Sequence, residues 1–211
     1  MNLRALQSNI RERFDAKMSG REVALVAARR AIRASANAIR AIHRSETEEV
    51  HRLLDEARAA LDEGEAAVES HPDVRYAGFL HDAQKEYAEA RLTEAVIAGK
   101  DLPTPDDVRV EPAVYLNGMA ETIGECRRAV LDLLRRGEVG RSEEILREME
   151  DMYYLLVTMD YPDAITGNLR RSTDVARGII EKTRGDLSLS LVQRDLRDAL
   201  ERHAQELRGP D

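Results

Sequence analysis

The chain has 211 residues, 43% of them hydrophobic but only 4% aromatic, with no tryptophan and a net charge of -8. That length suits one domain with a substantial core, and the negative balance excludes a broad basic face for DNA. No apolar run approaches the roughly 20 residues needed to span a bilayer, and the single cysteine, Cys126, excludes an intramolecular disulfide, so a soluble cytoplasmic protein is expected.

Alanine, leucine, glutamate and arginine dominate, which favours helix, and no segment alternates with period two as a strand would. A short helix is expected over residues 3–17. Ser19 with Glu22 three residues later makes a capping-box pattern that opens a first long helix to about Arg44, and Ser45 with Glu48 repeats it for a second to about Glu69. Pro72 suits the first turn of a third helix, running to Ala98 and stopped by Gly99. Residues 101–111, with Pro103 and Pro105, form the one clear loop. Pro112 opens a fourth helix ending near Gly137, whose Leu116, Met119, Ile123, Cys126, Val130 and Leu133 step by threes and fours into one core stripe. Ser142 opens a fifth to about Thr158, Pro162 a sixth that ends before Gly185, and residues 187–207 make the seventh. The expectation is an all-α, seven-helix antiparallel bundle, one domain over residues 1–211, with short connections and frayed termini at Met1 and Gly209 to Asp211.

The first long helix is basic. Between Gly20 and Ser45 it carries six arginines against one glutamate, and Arg29, Arg33, Arg40 and Arg44 line one face. Arginine's planar fork suits phosphate oxygens. That face is either a surface for a nucleic-acid backbone or an ion-paired one, neutralised by the acidic second helix. No aromatics interleave with the arginines, so recognition would be of backbone rather than of sequence.

Two glutamate pairs, Glu86 with Glu89 and Glu121 with Glu125, each share a helix face. Four convergent carboxylates suit Mg²⁺, which takes oxygen ligands and leaves positions open for phosphate, and such a site serves phosphodiester hydrolysis. Spacing alone is weak in so acidic a chain: Glu46 with Glu49, Glu65 with Glu69 and Glu144 with Glu148 have the same geometry and read as solvated. Glu121 also lies about 200° around its helix from Met119 and Ile123, opposite the core stripe. Against a solvated face stand Gly118 and Gly124. Each costs roughly 1 kcal/mol relative to alanine inside a helix, which points to close approach by a neighbour or a substrate. The five histidines show no zinc spacing and there is no phosphate-binding loop. His81, five residues before Glu86, belongs either to the edge of the acidic site or to an ordinary surface.

In this order the segments resemble the translin family, and within it the catalytic, translin-associated factor X type, as an archaeal or prokaryotic single-subunit homologue. Four stretches carry the resemblance over nearly the whole chain: Ile39 through Ile42-His43-Arg44; Glu86-Tyr87-Ala88-Glu89-Ala90; Ala120-Glu121-Thr122-Ile123-Gly124-Glu125; and Tyr161-Pro162 through Leu169-Arg170-Arg171 to Lys182-Thr183-Arg184-Gly185. The resemblance implies a seven-helix subunit that closes into a hollow oligomer, commonly an octamer, with its nucleic-acid surface inside. It also implies a Mg²⁺-dependent endoribonuclease acting on single-stranded RNA, Mn²⁺ being a second option for the ion. Glu86, Glu89, Glu121 and Glu125 then fall on the catalytic, metal-binding positions, and Arg29, Arg33, Arg40 and Arg44 would hold the strand. The translin branch, which lacks the full acidic set, implies the alternative of a non-catalytic oligomer that binds single-stranded RNA or DNA. One departure stands out: the eukaryotic catalytic subunit has aspartate at the first fourth-helix position, where Glu121 is one methylene longer. Eukaryotic members form mixed assemblies, whereas a lone chain holding both basic helix and acidic set would build a homo-oligomer. With its second acidic pair turned from the core stripe, the site should open toward the oligomer's interior.

Overall fold

A computed structural model describes residues 3–208, so the fraying expected of Met1 and Gly209 to Asp211 lies outside it. The described residues form nine helices and no strand: α1 (Leu3–His43), α2 (Thr47–Ala67), α3 (Pro72–Arg75), α4 (Phe79–Ala98), α5 (Pro105–Val108), α6 (Pro112–Arg136), α7 (Val139–Thr158), α8 (Asp163–Thr166) and α9 (Leu169–Arg208). The all-α bundle is the expected one. Its helix count is not, and each difference has a local cause.

α1 runs unbroken through Ser19, so the expected break after Lys17 does not occur. A Cβ on Gly20 would stand 2.5 Å from the Ala67 carbonyl oxygen, so this glycine admits the end of α2 rather than ending a helix. Ser45 does not cap α2: it sits at φ 59°, and the residue before the helix is Glu46, whose carboxylate is taken by the Arg44 guanidinium. The expected third helix is split at Gly78, which takes φ 99° with nothing within 4 Å of an added Cβ. It is the left-handed backbone, not space, that requires glycine there. The loop after Gly99 contains α5, capped reciprocally by Thr104 and Asp107. α7 starts at Val139, and the Ser142 hydroxyl donates back to the Glu138 carbonyl instead of capping. After α8, Gly167 and Asn168, at φ 61° and 65°, turn the chain into α9, which then passes straight through Gly185.

Gly99 and Gly137 do end α4 and α6 in the left-handed conformation, as expected. α4 and α6 form the central pair. α1 and α2 pack on the α4 side, and α7 and α9 on the α6 side. Alanine makes this tight: Ala24, Ala27, Ala31, Ala38 and Ala41 are wholly or nearly wholly buried along one face of α1. Leu61, Leu92, Met119 and Ile123 fill the centre, each contributing roughly 1.5 to 3 kcal/mol by burial. The stripe expected on α6 is buried except at Leu116, which is half-buried. Because α4 is covered on nearly all sides, Glu89 is a buried acid in the middle of the fold. No helix among the described residues is long and apolar enough to cross a membrane.

Candidate metal centre

Glu86 and Glu89 leave α4 one turn apart and Glu121 leaves α6 across from them. One oxygen from each lies within 4.8 Å of the others. Gly118 is what lets the two helices come so close. A Cβ there would stand 3.0 Å from both the Ala88 Cβ and the Lys85 carbonyl oxygen, and 3.2 Å from the Glu89 nitrogen. On the next turn the Thr122 hydroxyl shares its proton between the Gly118 carbonyl at 3.0 Å and the Glu89 carbonyl at 3.4 Å, tying α6 to the backbone of the acidic turn. The close approach expected at Gly124 is absent: its nearest neighbour is Ile179 Cδ1 at 3.9 Å, an ordinary contact.

Three carboxylates this close oppose one another's ionisation. Glu89 is 8% exposed. Burial first, then the charges of Glu86, Glu121 and Glu125, push its carboxyl up to about 8. The Glu86 carboxyl is also raised, by burial and then by Glu121. Lys85 sets one positive charge against the group, its ammonium donating to Glu121 at 2.6 Å. Burial pulls that ammonium down, but Glu121, Glu86 and Asp82 outweigh it and hold the lysine above its ordinary value. The donor set therefore fits a hard divalent cation: oxygen ligands only, mutually repelling, with one kept protonated for want of positive charge.

Glu125 stands apart from this group. It follows Glu121 by one turn of α6, but its Oε2 lies 2.6 Å from His43 Nε2, at the C-terminal end of α1. The hydrogen bond to His43 holds the Glu125 carboxyl below its ordinary value. Its charge still reaches Glu89. Of the four expected ligands, three are brought together and the fourth is engaged beside them. His43 was quoted in the sequence without a role, although its register, four residues after buried Ile39, turns it inward.

Two surface clefts reach the acidic group, and they share Glu121 and Ser172. One, of about 610 Å³, lies toward α8 and includes His81, Asp82 and Lys85 in its walls, so His81 belongs to the edge of the site. The other, of about 380 Å³, is walled by Glu89 and Glu121 on one side and by Arg171, Val175 and Ile179 of α9 on the other. The Arg171 guanidinium has no hydrogen-bond or ion-pair partner among the described residues, and no sequence motif marks it with a task. Arg29, Arg33 and Arg40 of α1, and Arg44 just after it, are all exposed. Arg44 is engaged by Glu46 and Arg40 by Asn37, whereas Arg29 and Arg33 have no partner among the described residues. The acidic second helix neutralises one residue of this region, Arg30, through Glu63.

No family model matches the chain. An uncharacterized protein of Methanocaldococcus jannaschii is 31% identical over 191 residues, covering 88% of this chain and 83% of that protein. Among solved structures, AfC3PO in complex with duplex RNA is 32% identical with a TM-score of 0.79, over 92% of this chain and 98% of that one. A crystal structure of AfC3PO shows the same identity and TM-score, over 92% of this chain and 99% of that one. Apo-NeC3PO, 19% identical, shares the fold with a TM-score of 0.80 over 87% of this chain and 96% of its own.

Proposed function

We propose, because this chain belongs to the translin family of the C3PO proteins, that it is a metal-dependent endoribonuclease of the translin-associated factor X type, cleaving single-stranded RNA inside a hollow, octameric homo-oligomer in the cytoplasm. The observation that carries this is the convergence of Glu86, Glu89 and Glu121 within 4.8 Å, two of which, Glu89 and Glu121, line a surface cleft. Support for a nucleic-acid substrate comes from AfC3PO, solved with duplex RNA. A single strand is the substrate that the resemblance to the catalytic branch implies.

Glu86, Glu89 and Glu121 would hold Mg²⁺ or Mn²⁺, with Glu125 as the fourth carboxylate at the edge. When bound, the ion supplies Lewis-acid polarisation of a phosphoryl oxygen. The chain's own groups do the rest. The Glu89 carboxyl is pushed up to about 8 in the metal-free chain and would serve as a ligand in its deprotonated form. His43 holds Glu125 ionised and fixes its direction. Arg171, facing Glu89 and Glu121 across the smaller cleft, binds the non-bridging oxygens of the phosphate being cut. Arg29 and Arg33 hold flanking phosphates, whereas Arg40 and Arg44 are already engaged by Asn37 and Glu46. Assembly is supported by apolar side chains that the single chain leaves exposed, Leu3, Leu6 and Phe14 on α1 and Val192, Leu196 and Leu200 on α9.

A second possibility, favoured by the engagement of Glu125 with His43, is a non-catalytic oligomer that binds single-stranded RNA or DNA. Glu86→Gln and Glu89→Gln separate the two in a Mg²⁺-dependent cleavage assay on single-stranded RNA. Loss of cleavage with assembly intact supports the nuclease. Unchanged cleavage removes these residues from the mechanism, and binding without cleavage by the unaltered chain in any divalent ion supports the alternative.

A further inference from the structure

The larger cleft has features that phosphodiester hydrolysis does not call for. The break at Gly78, which packing does not impose, takes Tyr76 out of the helix line and sets it on the rim of that cleft, 57% exposed, in a chain with few aromatics. The His81 ring meets it edge-on, 5.8 Å between centroids at 62°, and the Arg75 guanidinium lies 5.9 Å from the ring centre. The tyrosine is thus held between two neighbours while its ring remains accessible. Asp82, from the first turn of α4, and Glu111, from the residue before α6, line the same space, and neither carboxylate has a hydrogen-bond or ion-pair partner among the described residues. Asn117, by contrast, is fully spent as a strut: its amide donates to the carbonyls of Ala113 and Thr166 and its oxygen accepts from Ser172.

We infer that this cleft takes the base of a nucleotide beside the scissile phosphate and prefers guanine. The inference rests on the nuclease proposal above for the position of that phosphate, since Glu121 and Lys85 also line the cleft. An exposed aromatic ring is a stacking platform for an unpaired base. A free carboxylate accepts hydrogen bonds only, so a cleft edged by two of them repels phosphate and selects a base edge rich in donors. Guanine alone offers two adjacent donors, N1–H and the N2 amino group, to the two oxygens of one carboxylate. Adenine and cytosine offer an amino group beside an acceptor nitrogen. Uracil places carbonyl oxygens on both sides of its single N–H, against the carboxylates. The arginines of α1 grip backbone without regard to sequence, so base preference enters through this cleft.

The test is binding of fluorescein-labelled nine-nucleotide RNAs, oligouridylate with a single central G, A, C or U, to the full chain in EDTA and again in Ca²⁺. Neither condition requires cleavage. The G-containing strand should bind roughly tenfold more tightly than the all-U strand. Tyr76→Ala should lower affinity for it roughly tenfold, and Glu111→Gln should abolish the preference, bringing the affinities of the G-containing and all-U strands together. Glu111 makes no side-chain cap bond to α6, and both residues are exposed, so the variants are expected to keep the helical circular dichroism of the parent. Equal affinity for the four strands, or a preference that survives in both variants, overturns the inference whether or not the protein cleaves RNA. A guanine preference lost in both variants upholds it even where cleavage is absent, an outcome that would count against the nuclease and not against the cleft.

Discussion

His43 Nε2 and Glu125 Oε2 meet at 2.6 Å, joining the end of α1 to the middle of α6 across 82 residues of sequence. The imidazole is 5% exposed at its side chain and the carboxylate 26%, so this is a largely desolvated contact that decides where Glu125 points. Replacing His43 with Ala should return the Glu125 carboxyl upward toward its ordinary value, because the hydrogen bond that lowers it is gone. The accompanying loss in divalent-ion affinity should be roughly 10- to 100-fold, the range for partners that orient a ligand. Carbon-detected NMR titration and calorimetric Mg²⁺ binding read the two effects, and an unmoved Glu125 titration would show that His43 does not hold it.

Metal-free stability should depend on pH through Glu89. Its carboxyl titrates near 4.5 when unfolded and at about 8 when folded. Below the first value both states are protonated and the group adds nothing. Between the two, the unfolded chain releases a proton that the folded chain keeps, so stability falls as pH rises, and the loss is complete above the second. The difference should amount to roughly 3 to 5 kcal/mol between pH 4.5 and 8, read as a declining urea midpoint in EDTA. Glu89→Gln should flatten most of that decline. Mg²⁺ at about 100 times its Kd should add roughly 2.7 kcal/mol, most visibly at the alkaline end.

Glycine-to-alanine changes on α6 should have opposite signs. At Gly118 a Cβ meets Ala88 and the Lys85 carbonyl at 3.0 Å, so α4 and α6 must part. Overpacking of roughly 1 to 3 kcal/mol should exceed the gain in helix propensity of about 1 kcal/mol, and Mg²⁺ binding should weaken as the carboxylates separate. At Gly124 the nearest contact is 3.9 Å, so alanine should stabilise by up to about 1 kcal/mol. Denaturant unfolding of both variants checks this, and equal shifts would remove Gly118 from its role in the site.

Arginines on α1 should differ in what they contribute to RNA binding. Arg29→Ala and Arg33→Ala each remove a cation with no partner among the described residues, and each should lower the slope of log affinity against log salt by about 0.7 on single strands. Arg44→Ala should change it little, because that guanidinium is already engaged by Glu46. Identical slopes in all three variants would mean that this helix face does not carry the strand.

The sequence shows what repeats locally and conceals what depends on distant partners. The ends of α4 and α6 at Gly99 and Gly137, the stripe from Met119 to Leu133 and the acidic turn at Glu86 and Glu89 follow from neighbours three and four residues away. The sequence pattern runs a helix through Gly78 and ends one before Gly185, yet it is Gly78 that breaks the helix, at φ 99°, and Gly185 that lies inside α9. Only the surrounding elements distinguish them. Glu121 looked solvated because a helical wheel measures direction from the main stripe alone, whereas α6 is flanked by α4 on one side and α9 on another. Spacing together with the family resemblance puts Glu125 among the ligands, whereas its engagement with His43 requires knowing that α1 ends beside α6.

The far half of α9 bears on how the protein behaves in a test tube. From Val192 to Glu206 every residue is exposed, so four turns of helix are held by backbone propensity and a few surface ion pairs. A helix without tertiary support is marginal in water. Dilution thus becomes a structural variable for this chain. Where copies of the protein clothe one another's apolar faces the ellipticity per residue should be full, and where they are thinned out the tail should melt first, leaving the core around Gly118 and Thr122 intact. Helicity measured against concentration is then a titration of assembly itself.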